Sequence, residues 1–119
     1  MEIITPISTG ELLDKISILS IKSQYTDNSY VHKELQDLIE IAKKHQVYDD
    51  SYLAELLSTN HKLWKIEDDL RVLEKSQSFN ETFIDLARSV YITNDLRASI
   101  KKQINEKYKS QYQEIKVHK

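Results

Sequence analysis

Apolar residues recur along this chain at the three- and four-residue spacing that is typical of amphipathic helices. The first predicted helix runs from a Ser8 cap to about Tyr25, the second from about Tyr30 to Lys44, the third from an Asp50 or Ser51 cap to about Lys75, and the fourth from a Ser78 cap to about Tyr108. Ser8 with Glu11, and Ser78 with Glu81, have the spacing of a capping box. The pattern predicts an all-α fold, an antiparallel bundle of four helices.

The short connection between the third and fourth helices forces them to run antiparallel, so their long hairpin should dominate the bundle. With the turn near residues 76–79, residues at equal height have numbers that sum to about 155, since both helices rise equally per residue. The first helix is apolar on more than one face, so the others should surround it. Residues 1–119 are expected to form one domain, with an extended N-terminal arm at 1–7 and a basic C-terminal tail at 109–119.

Composition removes several classes of protein. The chain has no cysteine, which excludes disulfides, cysteine zinc sites and thiol nucleophiles. No apolar run has the length of a membrane span and no secretory signal is present, so a cytoplasmic location without a membrane partner is expected. The net charge of −2 does not favour nucleic acid as a partner, and the lysines near the C-terminus suit a helix end.

Both apolar stripes of the hairpin are interrupted by polar residues at positions that should face the core. On the third helix these are Asn60, Glu67, Asp68 and Arg71, beside a Trp64 anchor, and on the fourth they are Arg88, Tyr91, Asn94, Asp95 and Arg97. The register places Glu67 opposite Arg88. It also brings Asn60 toward Asp95 or Arg97. Two interpretations stay open: a buried polar network that fixes helix register, or a cleft for a small anionic or hydroxylated ligand.

A second set of carboxylates has a spacing that Mg²⁺ ligands can use. Glu11 with Asp14, and Glu34 with Asp37, lie one helical turn apart, as in all-α nucleotide pyrophosphohydrolases, whose bundles hold Mg²⁺ with paired E-x-x-E/D motifs. The same pattern is common on solvated helix faces. The four histidines are far apart, so they do not indicate a metal site. Mg²⁺ is the cofactor of this alternative alone, and otherwise no cofactor is predicted.

A third possibility is a bundle like that of chorismate mutase, which binds a small dianion between helices with basic side chains. The basic residues here would be Lys15, Lys22, Arg71, Arg88 and Arg97, whose spacing differs from the pattern of that family. No P-loop and no nucleophile elbow is present. An enzymatic activity is therefore not indicated by any complete motif.

Three motifs of the chain occur together in one known family. They read S-T-G-E-L-L-D-K-I-S-I-L-S-I-K from Ser8, L-W-K-I-E-D from Leu63 and A-R-S-V-Y-I-T-N-D from Ala87. In these the chain resembles a small bacterial and phage family that is catalogued only as a domain of unknown function. The resemblance implies the same helical domain and no established reaction. It covers the polar residues named above and a secondary cluster of Glu11, Asp14, Lys15 and Lys22.

The functional expectation is a helical binding or interaction module, a homodimer that acts through a groove beside the long hairpin. The wide apolar coverage of the first helix and the several tyrosines suit an interface, since aromatic residues are enriched there.

Overall fold

The computed structural model describes residues 1–118 and consists of four α-helices. They are α1 (Thr9–Ser23), α2 (Ser29–Lys44), α3 (Asp50–Lys75) and α4 (Glu81–Lys107). No strand occurs among the described residues, so the all-α prediction is confirmed. Residues 1–7 are non-helical and exposed. Lys119, the last residue of the predicted basic tail, lies outside the described residues.

Side-chain caps fix where the helices begin. The Ser8 hydroxyl accepts a hydrogen bond from the amide of Glu11 at 3.1 Å, as the first capping box requires. The predicted Ser78 cap is wrong, because α4 is capped by Asn80, whose side-chain oxygen accepts from the amide of Phe83 at 3.1 Å. Ser78 is still part of the turn that closes α3, and its own amide donates to a carbonyl of that helix.

Three of the helices are followed by a residue in the left-handed conformation, and in none of them is this residue glycine. Gln46, Gln77 and Lys109 have φ angles of 59°, 54° and 53°. After α3, for example, the Ser78 amide donates to the Leu73 carbonyl at 2.8 Å, the long hydrogen bond of a Schellman motif. A side chain at such a position is strained by comparison with glycine, which has no Cβ. The scarcity of glycine therefore carries a cost at these helix ends.

α1 lies at the centre of the bundle and contacts each of the other three helices, as its wide apolar coverage predicts. The buried core around it consists of Leu12, Leu13, Ile16, Ala42, Leu53, Leu56, Ile100 and Ile104. The only glycine of the chain, Gly10, lies where α1 meets α4 most closely. A Cβ there would lie 2.6 Å from the carbonyl oxygen of Lys101 and 2.9 Å from Oδ1 of Asn105. This approach leaves no room for a larger residue.

The α3–α4 hairpin extends well beyond the end of α1. Tyr25, two residues after α1, stacks on Trp64 with ring centroids 5.0 Å apart and marks the level at which α1 stops. The rest of the hairpin, residues 67–92, is called the hairpin arm here. Among these residues, all of which the structure describes, none is buried. The arm is a two-helix projection without a third helix to cover it.

The dimensions of the chain reflect this projection. Its accessible surface is 8722 Å², whereas a compact protein of 14.0 kDa is expected to expose about 6,700 Å². Its radius of gyration is 16.0 Å, against about 13.5 Å for a compact domain of this length. The isolated chain therefore exposes roughly 2,000 Å² more surface than a compact domain would.

After α4 the chain turns back along that helix. Residues 110–118, called the C-terminal strap here, are non-helical. Glu114 reaches Lys101 at 3.1 Å and Lys116 reaches Asp95 at 3.0 Å, so the strap runs antiparallel to α4. No helix within residues 1–118 is long and apolar enough to cross a membrane.

Candidate functional site

A polar network joins α1, α3 and α4. The carboxylate of Asp14 lies at its centre. Arg97 on α4 donates to both carboxylate oxygens, with Nε 2.9 Å from Oδ1 and a second contact from the other arm of the guanidinium. Asn60 on α3 donates to the same Oδ1 at 2.9 Å and to the hydroxyl oxygen of Ser17 at 2.7 Å. Asn60 and Arg97 are thus brought together, as the register of the hairpin requires, by a residue of α1.

The network is protected from solvent. Asp14 and Ser17 are fully buried. The hydrogen bonds from Arg97 to Asp14 raise the pKa of the guanidinium, and they outweigh its partial burial, which acts in the opposite direction. Two-point binding fixes the orientation as well as the distance of the two groups. The arrangement therefore sets the heights of α1, α3 and α4 relative to one another.

A second ionic cluster surrounds Lys101, one turn further along α4. Its ammonium nitrogen lies 2.7 Å from Glu11 on α1 and 3.1 Å from Glu114 of the strap. The side chain of Lys101 is only 8 % exposed. Burial alone would lower the pKa of this ammonium, but the hydrogen bonds to the two carboxylates raise it above its ordinary value. The Glu11 carboxylate therefore pairs with Lys101 and does not accept a hydrogen bond from the Ser8 amide. Only the Ser8 half of the capping box is formed.

A groove with a cavity of about 470 Å³ lies between α4 and the strap. It is lined by Val90, Tyr91, Asn94, Asp95, Arg97, Ala98, Lys101, Glu114, Lys116 and His118. Four residues predicted for the site, Tyr91, Asn94, Asp95 and Arg97, are among them. The groove lies beside the hairpin, and its outer wall is the strap.

The remaining residues predicted on the hairpin do not join the network. Glu67, Asp68, Arg71 and Arg88 are exposed on the hairpin arm, and the ion pairs within residues 1–118 do not include Glu67 with Arg88. The predicted pair is therefore wrong. Equal height fixes the position along the hairpin axis but not the angle around it. Arg88 is two residues from Leu86, which is half-buried, and so points away from α3.

The secondary cluster on α1 divides in the same way. Glu11 and Asp14 are engaged by Lys101 and Arg97, whereas the other two members, Lys15 and Lys22, are exposed. The basic residues required for a chorismate-mutase-like site thus do not converge, since Arg71 and Arg88 also face solvent on the arm.

The four carboxylates considered for Mg²⁺ lie apart in two groups. Glu11 and Asp14 form the ion pairs described above, while Glu34 and Asp37 are exposed on α2, where Asp37 pairs with Lys33 at 3.2 Å. Within residues 1–118 no group of three or more histidine or acidic side chains is placed to hold a metal ion. The convergence that this alternative demanded is not found.

A further cluster that the sequence reading missed lies at the start of α3. The predicted Asp50 or Ser51 cap is wrong, because Asp49 caps α3 and accepts from the amide of Tyr52 at 3.0 Å. Asp49 also accepts from Lys107 at 2.7 Å and from the Tyr108 hydroxyl at 2.6 Å. The hydrogen bonds from Lys107 and Tyr108 lower the pKa of Asp49 to about 2. The cluster ties the end of α4 to the start of α3.

One pattern in the sequence could have indicated the true centre of the network. Glu11 and Asp14 are three residues apart on α1, and Arg97 and Lys101 are four apart on α4. Such pairs lie on one face of each helix, so two antiparallel helices can match them charge by charge. The partner of α4 at this height is therefore α1 as well as α3.

The fold and the network together define an all-α domain in which a central helix is locked to a projecting hairpin. The chain matches the family of unknown function DUF6165 over residues 3–118, and it belongs to that family. The match includes the C-terminal strap, so the strap is part of the family's domain. No curated protein and no solved structure matches the chain.

Proposed function

We propose that this chain is a helical interaction module that self-associates as a homodimer through its hairpin arm. The observation that carries the proposal is the absence of any buried residue among the described residues 67–92. Large apolar side chains are nevertheless exposed along the arm, namely Val72, Phe79, Ile84, Tyr91 and Ile92. Exposed apolar surface of this extent is typical of an interaction site.

The inner side of the arm also lacks part of its cover. Leu70 and Leu73 of α3, and Phe83, Leu86 and Val90 of α4, are only half-buried. Two helices bury only the side chains that lie directly between them. The apolar side chains at the edges of this contact need further helices to cover them. Two arms from two copies supply four helices, which form the common antiparallel four-helix bundle around a twofold axis.

The area that is available agrees with this arrangement. A standard interface buries about 800 Å² on each partner, and the chain exposes roughly 2,000 Å² more than a compact domain. Residues 1–7 and the strap account for part of that excess, and the hairpin arm has to supply only about 800 Å² of it for one stable dimer interface.

Charged residues of the arm support a specific pairing. Glu67, Asp68, Arg71 and Arg88 carry both signs, and no ion pair occurs within residues 67–92. Such residues at the rim of an interface set the register and orientation of the two copies. Under the proposal these four residues belong to the dimer interface. Glu67 and Arg88 then contact the second copy instead of pairing with each other within one chain.

The location and origin complete the proposal. We place the dimer in the cytoplasm, since a chain without cysteine needs no oxidising compartment. The bacterial or phage origin follows from the family that the three motifs resemble. The Asp14–Arg97 network is satisfied internally, which favours its structural interpretation over a ligand cleft at the same point.

Hydrogen exchange tests the proposal directly. Amides of the hairpin arm should be protected at high protein concentration and exchange faster on dilution, whereas amides of α1 should not respond. Ile84→Lys should make the arm exchange rapidly at every concentration. Ile41→Lys on α2 is the matched control, because Ile41 and Ile84 are 43 % and 47 % exposed. Exchange in the arm that does not depend on concentration would rule the dimer out.

A further inference from the structure

We infer that the groove between α4 and the C-terminal strap is a binding site for a small hydroxylated carboxylate, and that Glu114 occupies its anion position in the free protein. The inference does not rest on self-association: it concerns the strap and the groove-lining residues of α4 between Val90 and Lys101, of which only Val90 and Tyr91 belong to the hairpin arm. It assigns a ligand class to the groove and a blocking role to one residue of the strap.

The anion position is built around a buried cation. Lys101 is 8 % exposed, and Glu11 of α1 holds its ammonium at 2.7 Å from a fixed helix. The second carboxylate, from Glu114, reaches the same nitrogen at 3.1 Å from the strap. A ligand carboxylate that replaced Glu114 would leave the charge of the site unchanged, so the exchange does not strand a buried charge.

The strap is attached in a way that allows this exchange. Its side chains Tyr112, Ile115 and Val117 point into solvent and are more than half exposed, so apolar burial does not hold it down. Its other ion pair, between Lys116 and Asp95, is largely exposed, and exposed ion pairs contribute little to stability. The Glu114 side chain can therefore move away from Lys101, while the strap still lines the groove, without disturbing the core of the bundle.

The rest of the groove favours a ligand with hydroxyl groups. Its cavity of about 470 Å³ has the size of a small-molecule site. The phenol of Tyr91 and the amide of Asn94 line it beside Lys101, and each can donate and accept hydrogen bonds. Arg97 is already paired with Asp14, and Lys116 with Asp95. Lys101 holds two carboxylates, and a single ligand carboxylate can replace the one that comes from the strap.

The test uses the whole chain and sodium gluconate, a carboxylate with several hydroxyls, in an NMR titration against sodium chloride at the same ionic strength. Gluconate should shift the amide signals of Asn94 and Lys101. Glu114→Gln removes the competing carboxylate and should lower the dissociation constant by about fivefold to tenfold. Glu106→Gln, at an exposed position of α4 outside the groove, should leave it unchanged.

Lys101→Met should abolish the shifts in a chain whose spectrum shows that it is folded. If that variant does not fold, Tyr91→Phe combined with Asn94→Ala should weaken gluconate binding instead. The inference is overturned if Glu114→Gln binds no more tightly than the wild type, or if gluconate gives no shifts beyond those of chloride. It is also overturned if a folded Lys101→Met still binds gluconate, or if Tyr91→Phe combined with Asn94→Ala binds it as tightly as the wild type. Acetate that binds as tightly as gluconate would overturn the assignment of a hydroxylated ligand.

Discussion

The guanidinium of Arg97 binds both carboxylate oxygens of Asp14, and this contact joins the central helix to the hairpin. Asp14 is fully buried, while Arg97 retains partial access to solvent. The pair lies where the body of the bundle gives way to the projecting arm. It therefore fixes the position of the arm relative to α1.

Loss of Arg97 should destabilise the fold strongly. Arg97→Ala leaves the Asp14 carboxylate buried without its partner, which should reduce the free energy of unfolding by about 3–5 kcal/mol. Lys102→Ala, at an exposed position of the same helix outside the hairpin arm, should change it by about 0.5 kcal/mol or less. Urea melts of both variants measure the difference. Equal losses in the two would show that the Asp14–Arg97 pair does not fix the fold.

The close contact of α1 with α4 predicts an unusual effect at the only glycine. Gly10→Ala should lower the free energy of unfolding by about 1–3 kcal/mol, because the added methyl group meets the Lys101 carbonyl oxygen at 2.6 Å. Helix propensity alone predicts the opposite sign. Thermal and urea melts show which of the two effects is larger. A stabilised Gly10→Ala would mean that α1 and α4 lie further apart than described.

The left-handed residues at helix ends offer a stabilising substitution. Gln77 has a φ of 54°, so Gln77→Gly should raise the free energy of unfolding by about 0.5–1 kcal/mol. Gln36→Gly, at an exposed position inside α2, should lower it by about 1 kcal/mol. Opposite signs for the same substitution in urea melts would confirm the Schellman geometry. A loss at both positions would contradict it.

Acid should weaken the link between α3 and α4. The pKa of Asp49 is lowered to about 2 from 3.8. Its carboxylate therefore contributes stability above pH 4, and this contribution is lost as the pH falls toward 2. Asp49→Asn keeps a good helix cap but removes the charge, so it should cost about 1–2 kcal/mol at neutral pH and almost nothing near pH 2. Urea melts of the wild type and Asp49→Asn from about pH 2 to pH 7 test this prediction. A difference in the free energy of unfolding that does not change with pH would refute it.

The helices could be predicted because each carries its own signal. The Ser8 cap and the apolar stripes are local, and the short connection alone makes α3 and α4 antiparallel. The cap of α4 was misplaced because Ser78 and Asn80 are both good caps two residues apart, and only the closure of α3 decides between them.

The site was predicted less well because its centre belongs to a third helix. The register of the hairpin brought Asn60 and Arg97 to one height, but periodicity does not indicate that Asp14 of α1 joins them. The register also does not indicate the angle of Glu67 and Arg88 around the hairpin axis, or the height on the hairpin that the end of α1 reaches, and both leave these two residues in solvent. The Glu114 contact could not be foreseen, since the strap has no helical period to place it.

The measurement that bears most directly on the proposed self-association is the mass of the wild-type chain by sedimentation equilibrium over a wide range of concentration. The proposed homodimer has a mass of about 28 kDa, twice the 14.0 kDa of one chain. Ile84→Lys should shift it to the single-chain mass, and Ile41→Lys should not. A wild-type mass of 14.0 kDa at every concentration would contradict the account, because the hairpin arm would then remain uncovered.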